Sequence, residues 1–237
     1  MTGLLMCEPL ATSQTRRVAQ AVDAIQSVGG ICLVSGANGV GKTWSLDLLN
    51  HDWVRRVDMT ASSGQGSGRA CYRRICRALD IPVPIQAPAD DLLDEIVDAI
   101  RGQHQTLVLD RCEHVAVRAL PFVRDLADAL ESLVLVGSSA FRARVMQDDA
   151  LTVRARLPLP VEPLGREELG ELLGSQFCKA WIDECWATTG GVLGHVAQAV
   201  RGEILRSSAA NRPTTDAGND EARITCEKFV LRRRQAA

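Results

Sequence analysis

Gly36-Ala37-Asn38-Gly39-Val40-Gly41-Lys42-Thr43 is the stretch of this chain whose residue types and spacing most clearly imply chemistry. Gly36 and Gly41 bracket four residues, and Lys42-Thr43 follows directly. Glycines let successive backbone N–H groups turn inward around a polyphosphate, and the start of a helix adds partial positive charge at the same place. A lysine in this position can reach terminal phosphates, and the hydroxyl after it can ligate Mg²⁺. The pattern predicts a nucleoside triphosphate site. Its candidate residues are Gly36, Ala37, Asn38, Gly39, Val40, Gly41, Lys42, Thr43 and the adjoining Trp44, with Thr43 doubling as a metal ligand.

Phosphoryl chemistry on such a loop needs a second carboxylate for the metal at the end of a neighbouring strand, and a group to orient or deprotonate water. Asp110 ends the apolar run Thr106-Leu107-Val108-Leu109 and is placed for the first task. Directly after it comes Arg111, and the nearest carboxylate is Glu113. Glu113 reads either as the water-activating group or as a solvated loop acid. Ser138, at the end of the apolar run Leu133-Val134-Leu135-Val136, reads either as a γ-phosphate sensor or as part of a serine turn. Arg154 precedes the last strand, where an arginine can project into a neighbouring subunit and stabilise its transition state; alone, it reads as a surface arginine.

Five apolar runs must carry these groups. Ile31–Ser35, Trp53–Met59, Thr106–Asp110, Leu133–Gly137 and Leu157–Val161 read as strands, the last uneven because Pro158 and Pro160 interrupt it. Helical spacing separates them. About Thr12 to Ser27 repeats Val18, Ala21, Val22 and Ile25, Arg69 to Leu79 repeats Tyr72, Ile75, Cys76 and Leu79, and Asp90-Asp91 opens a helix buried through Leu92, Leu93, Ile96 and Ile100. Ala61–Gly68 reads as a flexible loop by composition. Apolar strands alternating with helices predict an α/β fold, a parallel sheet covered on both faces.

Beyond Pro163-Leu164 only helices are predicted: Arg166–Phe177, one holding Trp181, Ile182 and Trp186, and one holding Val196, Val200 and Ile204. They form a small lid. The expected division is a nucleotide-binding domain over 1–162, a helical lid over 163–207, and a linker with a short helix and a basic tail, Arg232-Arg233-Arg234, over 208–237.

The 237 residues suffice for one full core with a small satellite. Formal net charge is −2, so no overall field points to nucleic acid, and any basic surface has to be local. The eight cysteines form no C-x-x-C and no zinc-spaced cluster with histidine. Neither a signal peptide nor a membrane-length apolar run is evident, and a reducing cytoplasm is the economical expectation.

The order of these parts resembles an AAA+ ATPase, and more narrowly the branch of the transposition regulators MuB, TnsC and TniB. The resemblance spans about residues 10 to 205. It rests on Gly36–Thr43, Leu107–Asp110, Val134–Ser138, Arg154 ahead of Val161-Glu162-Pro163-Leu164, and Thr189-Gly190-Gly191-Val192-Leu193-Gly194-His195-Val196. It implies a P-loop ATPase using ATP and Mg²⁺, with slow, assembly-dependent hydrolysis. Its homo-oligomers would be rings or helical filaments on duplex DNA, marking a target for a transposase and sometimes meeting a target-selection adaptor. Two departures matter: Arg111 stands where most relatives place a glutamate, and Gly194 where many lids carry a nucleotide-sensing arginine.

Asp110-Arg111-Cys112-Glu113-His114-Val115 also resembles the matching turn of STAND-class signalling ATPases. A signalling or secretion-type (ExeA-like) ATPase acting through protein contacts is therefore the alternative, together with a nucleotide-locked assembly module that scarcely hydrolyses. For DNA, Arg69, Arg73 and Arg77 recur at i, i+4 and i+8 with Arg74 beside them, which suits sequence-independent phosphate contacts; the same stripe also reads as a solvated helix face.

Overall fold

The apolar runs become five parallel strands: β1 (Gly30–Ser35), β2 (Val54–Asp58), β3 (Thr106–Asp110), β4 (Ser132–Gly137) and β5 (Leu157–Pro160). A computed structural model describes residues 12–49, 51–60, 67–210 and 213–229. Strand order is β2-β3-β4-β1-β5, so β1 lies between β4 and β5 and each pairing is parallel. Strands β3 and β4 are buried at every position because helices cover both faces, which is why they read as unbroken apolar runs.

Strand β5 tolerates Pro158 and Pro160 because it is an edge, with both prolines exposed. The ladder continues one residue past it, where the Val161 N–H donates to the Ser35 carbonyl at 2.7 Å.

One face of the sheet is covered by α1 (Ser13–Val28) and α2 (Lys42–Asp47). Val18, Val22 and Ile25 of α1 pack with Cys32, Val34, Val108, Val134 and Val136, all fully buried. Thr12 caps α1 by accepting from the Thr15 N–H, and Gly29 closes it. The other face carries α3 (Gly68–Ala78), α4 (Ala89–Gly102), α5 (Leu120–Ala129), α6 (Ser139–Met146) and α7 (Asp149–Arg154). Tyr72, Ile75, Ile96, Leu126 and Phe141 supply its core. Alternate residues of one strand thus serve two cores, Leu107 and Leu109 facing one and Val108 the other.

The lid is α8 (Arg166–Leu173), α9 (Lys179–Thr189) and α10 (Leu193–Ala209), around Trp181, Phe177, Leu173 and Val196. The first lid helix stops four residues short of the expected Phe177, which remains in the lid core.

The region expected as a linker with a short helix does contain a helix, but it packs onto the lid. Helix α10 runs on to Ala209, a 3₁₀ turn occupies Thr214–Asp216, and α11 (Asn219–Phe229) packs back onto α9 and α10. The residues that dock it are small, Ala217 and Ala222, so no apolar stripe marks it. A buried carboxylate does the rest. Glu203 of α10 is 0 % exposed and accepts from Ser207, from the Arg206 guanidinium and from the Thr225 hydroxyl of α11. The Arg232–Arg234 tail and most of the Ala61–Gly68 loop lie outside the described residues. No helix among the described residues is long and apolar enough to cross a membrane.

Candidate functional site

The loop leaves β1 at Ser35 and turns into α2 through Gly41 at φ 104°, a left-handed conformation that a side chain resists. A Cβ there would also lie 2.7 Å from a terminal methyl of Leu193 of the lid, so the backbone calls for glycine and the lid side chain would have to shift for anything larger. Val40 is buried in the core beneath the loop and anchors it, while Ala37, Asn38 and Gly39 are exposed. The Lys42 ammonium folds back and donates to the carbonyls of Gly36 and Ala37, each at 2.8 Å. Burial pushes its pKa down, while the carboxylates of Glu113 and Asp110 push it back up.

Asp110 comes to this loop from β3, two strands away. It is almost wholly buried and accepts three kinds of donor: its own neighbour's amide, Arg111 N–H, at 2.8 Å, the Thr43 hydroxyl at 3.1 Å, and Arg56 of β2 at 2.8 Å. Thr43 and Asp110 therefore stand together as the spacing requires for a hydrated divalent cation.

Glu113 joins them. Arg111 adopts φ 58°, the left-handed region that costs a non-glycine residue free energy, and a 3₁₀ turn, Cys112–His114, follows. That turn brings Glu113 to the wall of the same cavity as Lys42, Thr43 and Asp110, a space of about 330 Å³. Its Oε2 is buried without a hydrogen-bond partner, although the residue as a whole is half-buried. A buried carboxylate oxygen left without a donor is costly unless a ligand or water serves it. Of the two readings of Glu113, the site-facing one fits this geometry. The donor set fits a phosphate chain with Mg²⁺: an ammonium, a hydroxyl, two carboxylates and a glycine cradle.

The lid closes the cavity. Leu193 and Gly194 line it, and the Gly194 N–H donates to the Gly39 carbonyl at 2.8 Å. Where a sensing arginine was looked for, a backbone contact joins lid to loop. Trp44 lines the cavity too, and its ring packs against the lid core.

Other sequence candidates fall elsewhere. Ser138 accepts from the Phe141 N–H as the cap of α6, and it is not among the residues lining the cavity. Arg154 pairs with Asp128 and donates to the Ala150 carbonyl at 2.6 Å. Its backbone lies beside Gly30, at the end of β1 away from the loop, so it cannot serve the site of its own subunit.

The arginine stripe of α3 is partly consumed. Arg69 and Arg73 both donate to the Ile85 carbonyl, Arg73 also to Pro84, and Arg74 to Asp58, while Arg77 is exposed. Beside it α4 exposes Asp90, Asp91, Asp94, Glu95 and Asp98.

Three functional-looking groups were missed: Arg56, Arg144 and the Leu193-Gly194 contact. Arg144 of α6 donates to the Glu113 and Val115 carbonyls and so braces the turn. An arginine on a surface helix or an outer strand reads as solvated, and nothing in its own sequence signals these partners.

The family model described as an AAA domain matches residues 25–145, from the end of α1 through the loop and Asp110 into α6. The chain belongs to the AAA domain family. Curated protein sequences give no match.

Solved structures agree on the fold of this AAA domain. Cdc6p from Pyrobaculum aerophilum superposes with a TM-score of 0.73 at 17 % identity, covering 95 % of this chain and 70 % of its own. The Aeropyrum pernix ORC1 protein in complex with DNA gives 0.67 at 15 % identity, over 94 % of this chain and 68 % of its own. Domain III of the Thermotoga maritima replication initiation protein DnaA gives 0.57 at 14 % identity, over 92 % of this chain and 93 % of its own. At such identities the likeness concerns the fold.

Proposed function

We propose that this AAA domain binds ATP with Mg²⁺ and hydrolyses it slowly, using Glu113 in place of the glutamate that Arg111 displaces. The carrying observation is the meeting of Lys42, Thr43, Asp110 and the unpartnered Glu113 Oε2 at one cavity. In this reading the loop N–H groups of Gly39 to Thr43 and the Lys42 ammonium bind the phosphates. Thr43 and Asp110 would hold the metal, whose charge would offset that of the phosphate oxygens. Glu113 holds the attacking water and takes its proton. Leu193, Gly194 and Trp44 exclude bulk water and carry the state of the loop into the lid.

The proposal extends to assembly. Arg154 faces away from its own loop, which suits an arginine supplied to a neighbouring copy, and its pairing with Asp128 would exchange for a phosphate there. Homo-oligomers on duplex DNA, ring or filament, are the output we propose. The fold likeness to ORC1, solved with DNA, supports that direction. The finer role, marking a target for a transposase, rests on the sequence resemblance alone. Contact through Arg69, Arg73, Arg74 and Arg77 would require Arg69 and Arg73 to leave the Pro84–Ile85 carbonyls, and Arg77 is the one poised to act as it stands.

That engagement favours a second reading, output through a protein contact. Arg69 and Arg73 fix a loop whose Ile85 is 83 % exposed. The deciding experiment is electron microscopy and light scattering of the protein with ATP, with a non-hydrolysable analogue and with neither, each with and without duplex DNA. Analogue-dependent, salt-sensitive assemblies on DNA support the proposal. A nucleotide-loaded monomer indifferent to DNA overturns the assembly reading in favour of the second.

A further inference from the structure

Asp110 carries more positive charge than a metal carboxylate needs before its metal arrives. Its side chain is 2 % exposed. The Oδ2 atom that the Thr43 hydroxyl reaches is also bound by the Arg56 guanidinium at 2.8 Å. A second nitrogen of the same guanidinium lies 2.5 Å from Asp47 Oδ1. Thr43 and Asp47 are four residues apart on α2, on one face of it, so Arg56 spans the helix surface that presents the metal hydroxyl.

Arg56 is in direct contact with this buried carboxylate, whereas Lys42 acts on it from across the cavity. A divalent ion held between Thr43 and Asp110 must share Oδ2 with that guanidinium and lie within a few ångströms of its charge. Asp47 gives the guanidinium somewhere to go. Its side chain is 43 % exposed, so it accepts the arginine at little desolvation cost.

We infer that Arg56 is a resident counter-cation of Asp110 that competes with Mg²⁺, and that Asp47 sets the balance by drawing Arg56 away. The inference rests on reading the cavity as a nucleotide–Mg²⁺ site. Arg56 is a positioning residue here: it acts on the metal through Asp110. Its effect is to keep the empty site assembled while making metal loading harder. Nucleotide binding thereby requires a higher Mg²⁺ concentration than Thr43 and Asp110 alone would require.

The test is Mg²⁺ titration of a fluorescent ATP analogue bound to the full chain, comparing the parent with Arg56→Gln and Asp47→Asn. The two variants must move the metal midpoint in opposite directions. Arg56→Gln is expected to lower it about fivefold, the order of one partly exposed charge interaction, and Asp47→Asn to raise it about twofold to threefold. Asp47→Asn alters an exposed side chain and serves even if Arg56→Gln folds poorly. Thermal unfolding in EDTA supplies a readout free of nucleotide and metal: Arg56→Gln should lower the melting temperature by exposing the charge of Asp110. A midpoint unmoved, or moved the same way by both variants, overturns the inference. A parent that binds no nucleotide at any Mg²⁺ concentration overturns the nucleotide reading and the inference with it.

Discussion

Arg144 donates to the carbonyl oxygen of Glu113 at 3.2 Å and, with its other terminal nitrogen, to that of Val115 at 2.7 Å. One guanidinium thus spans the turn that delivers the candidate water-activating group. The arginine comes from α6, the helix capped by Ser138 at the end of β4. Ser138 can therefore influence the site through α6 without lining the cavity itself.

If Glu113 activates water, Glu113→Gln should leave ATP binding within about twofold of the parent. It should cut single-turnover phosphate release about a hundredfold or more, the usual worth of a general base. Gln preserves shape and removes the proton acceptor. Equal, measurable turnover in parent and variant would return Glu113 to the status of a loop acid, and negligible turnover in both would favour the nucleotide-locked reading.

Arg144→Lys retains a charge but cannot bridge two carbonyls in the same plane. We expect kcat to fall about tenfold with KM for ATP little changed, since the phosphate-binding loop is untouched. A purely structural arginine would lower the melting temperature and leave kcat of the remaining folded protein intact. Turnover normalised to active sites separates the two.

These side chains mark the limit of what the chain spells out. Strand β3 and the Gly36–Thr43 loop were legible because burial on both faces forces an unbroken apolar run, and because phosphate binding forces glycine at fixed spacing. Asp110 was legible as the end of such a run. Glu113 was legible only as two alternatives, since the choice depends on the φ of Arg111. Arg56 and Arg144 were not legible at all: their partners are a carboxylate and two carbonyls brought in from β3 and the turn after it. A short helix after the linker was expected, but the docking of α11 onto the lid was hidden for a different reason. Its docking uses Ala217, Ala222 and the hydroxyl of Thr225 on the buried Glu203, small and polar groups that form no apolar stripe to announce a buried face.

The adjacent glycines before α10 separate backbone strain from steric closure. Gly190 has φ 60° with nothing near the position of a Cβ, so Gly190→Ala should cost about 1 kcal/mol. Gly191 has φ 70°, and a Cβ there would lie 2.1 Å from the Leu164 carbonyl oxygen. That carbonyl belongs to the residue whose own N–H donates to Gly191, the junction of lid and sheet domain. Gly191→Ala should therefore cost about 3 kcal/mol or more, the sum of strain and a displaced backbone. Denaturant unfolding of both variants checks the contrast, and similar losses would show that this junction yields easily.

Acid should loosen the segment that carries Arg154. Asp148 caps α7 by accepting from the Leu151 N–H at 3.1 Å, and it pairs with Arg124 of α5 at 2.6 Å. The hydrogen bond from Arg124 is the main cause holding its carboxyl below the ordinary carboxylate value, against a smaller opposing effect of burial. A carboxyl with a depressed pKa in the folded state stabilises the fold fully above its unfolded value of 3.8, and the contribution disappears as pH falls through the lower folded value. Asp148→Asn retains a capping oxygen and loses the ion pair, so at neutral pH it should cost somewhat under the roughly 1 kcal/mol of a lost cap. As pH falls through the lowered folded value, parent and variant should converge, because the parent carboxyl is then losing its charge as well. Melting temperatures measured from pH 7 down to pH 2.5 test this. A constant gap across that range would mean that the charge of the Asp148–Arg124 pair contributes nothing to holding α7.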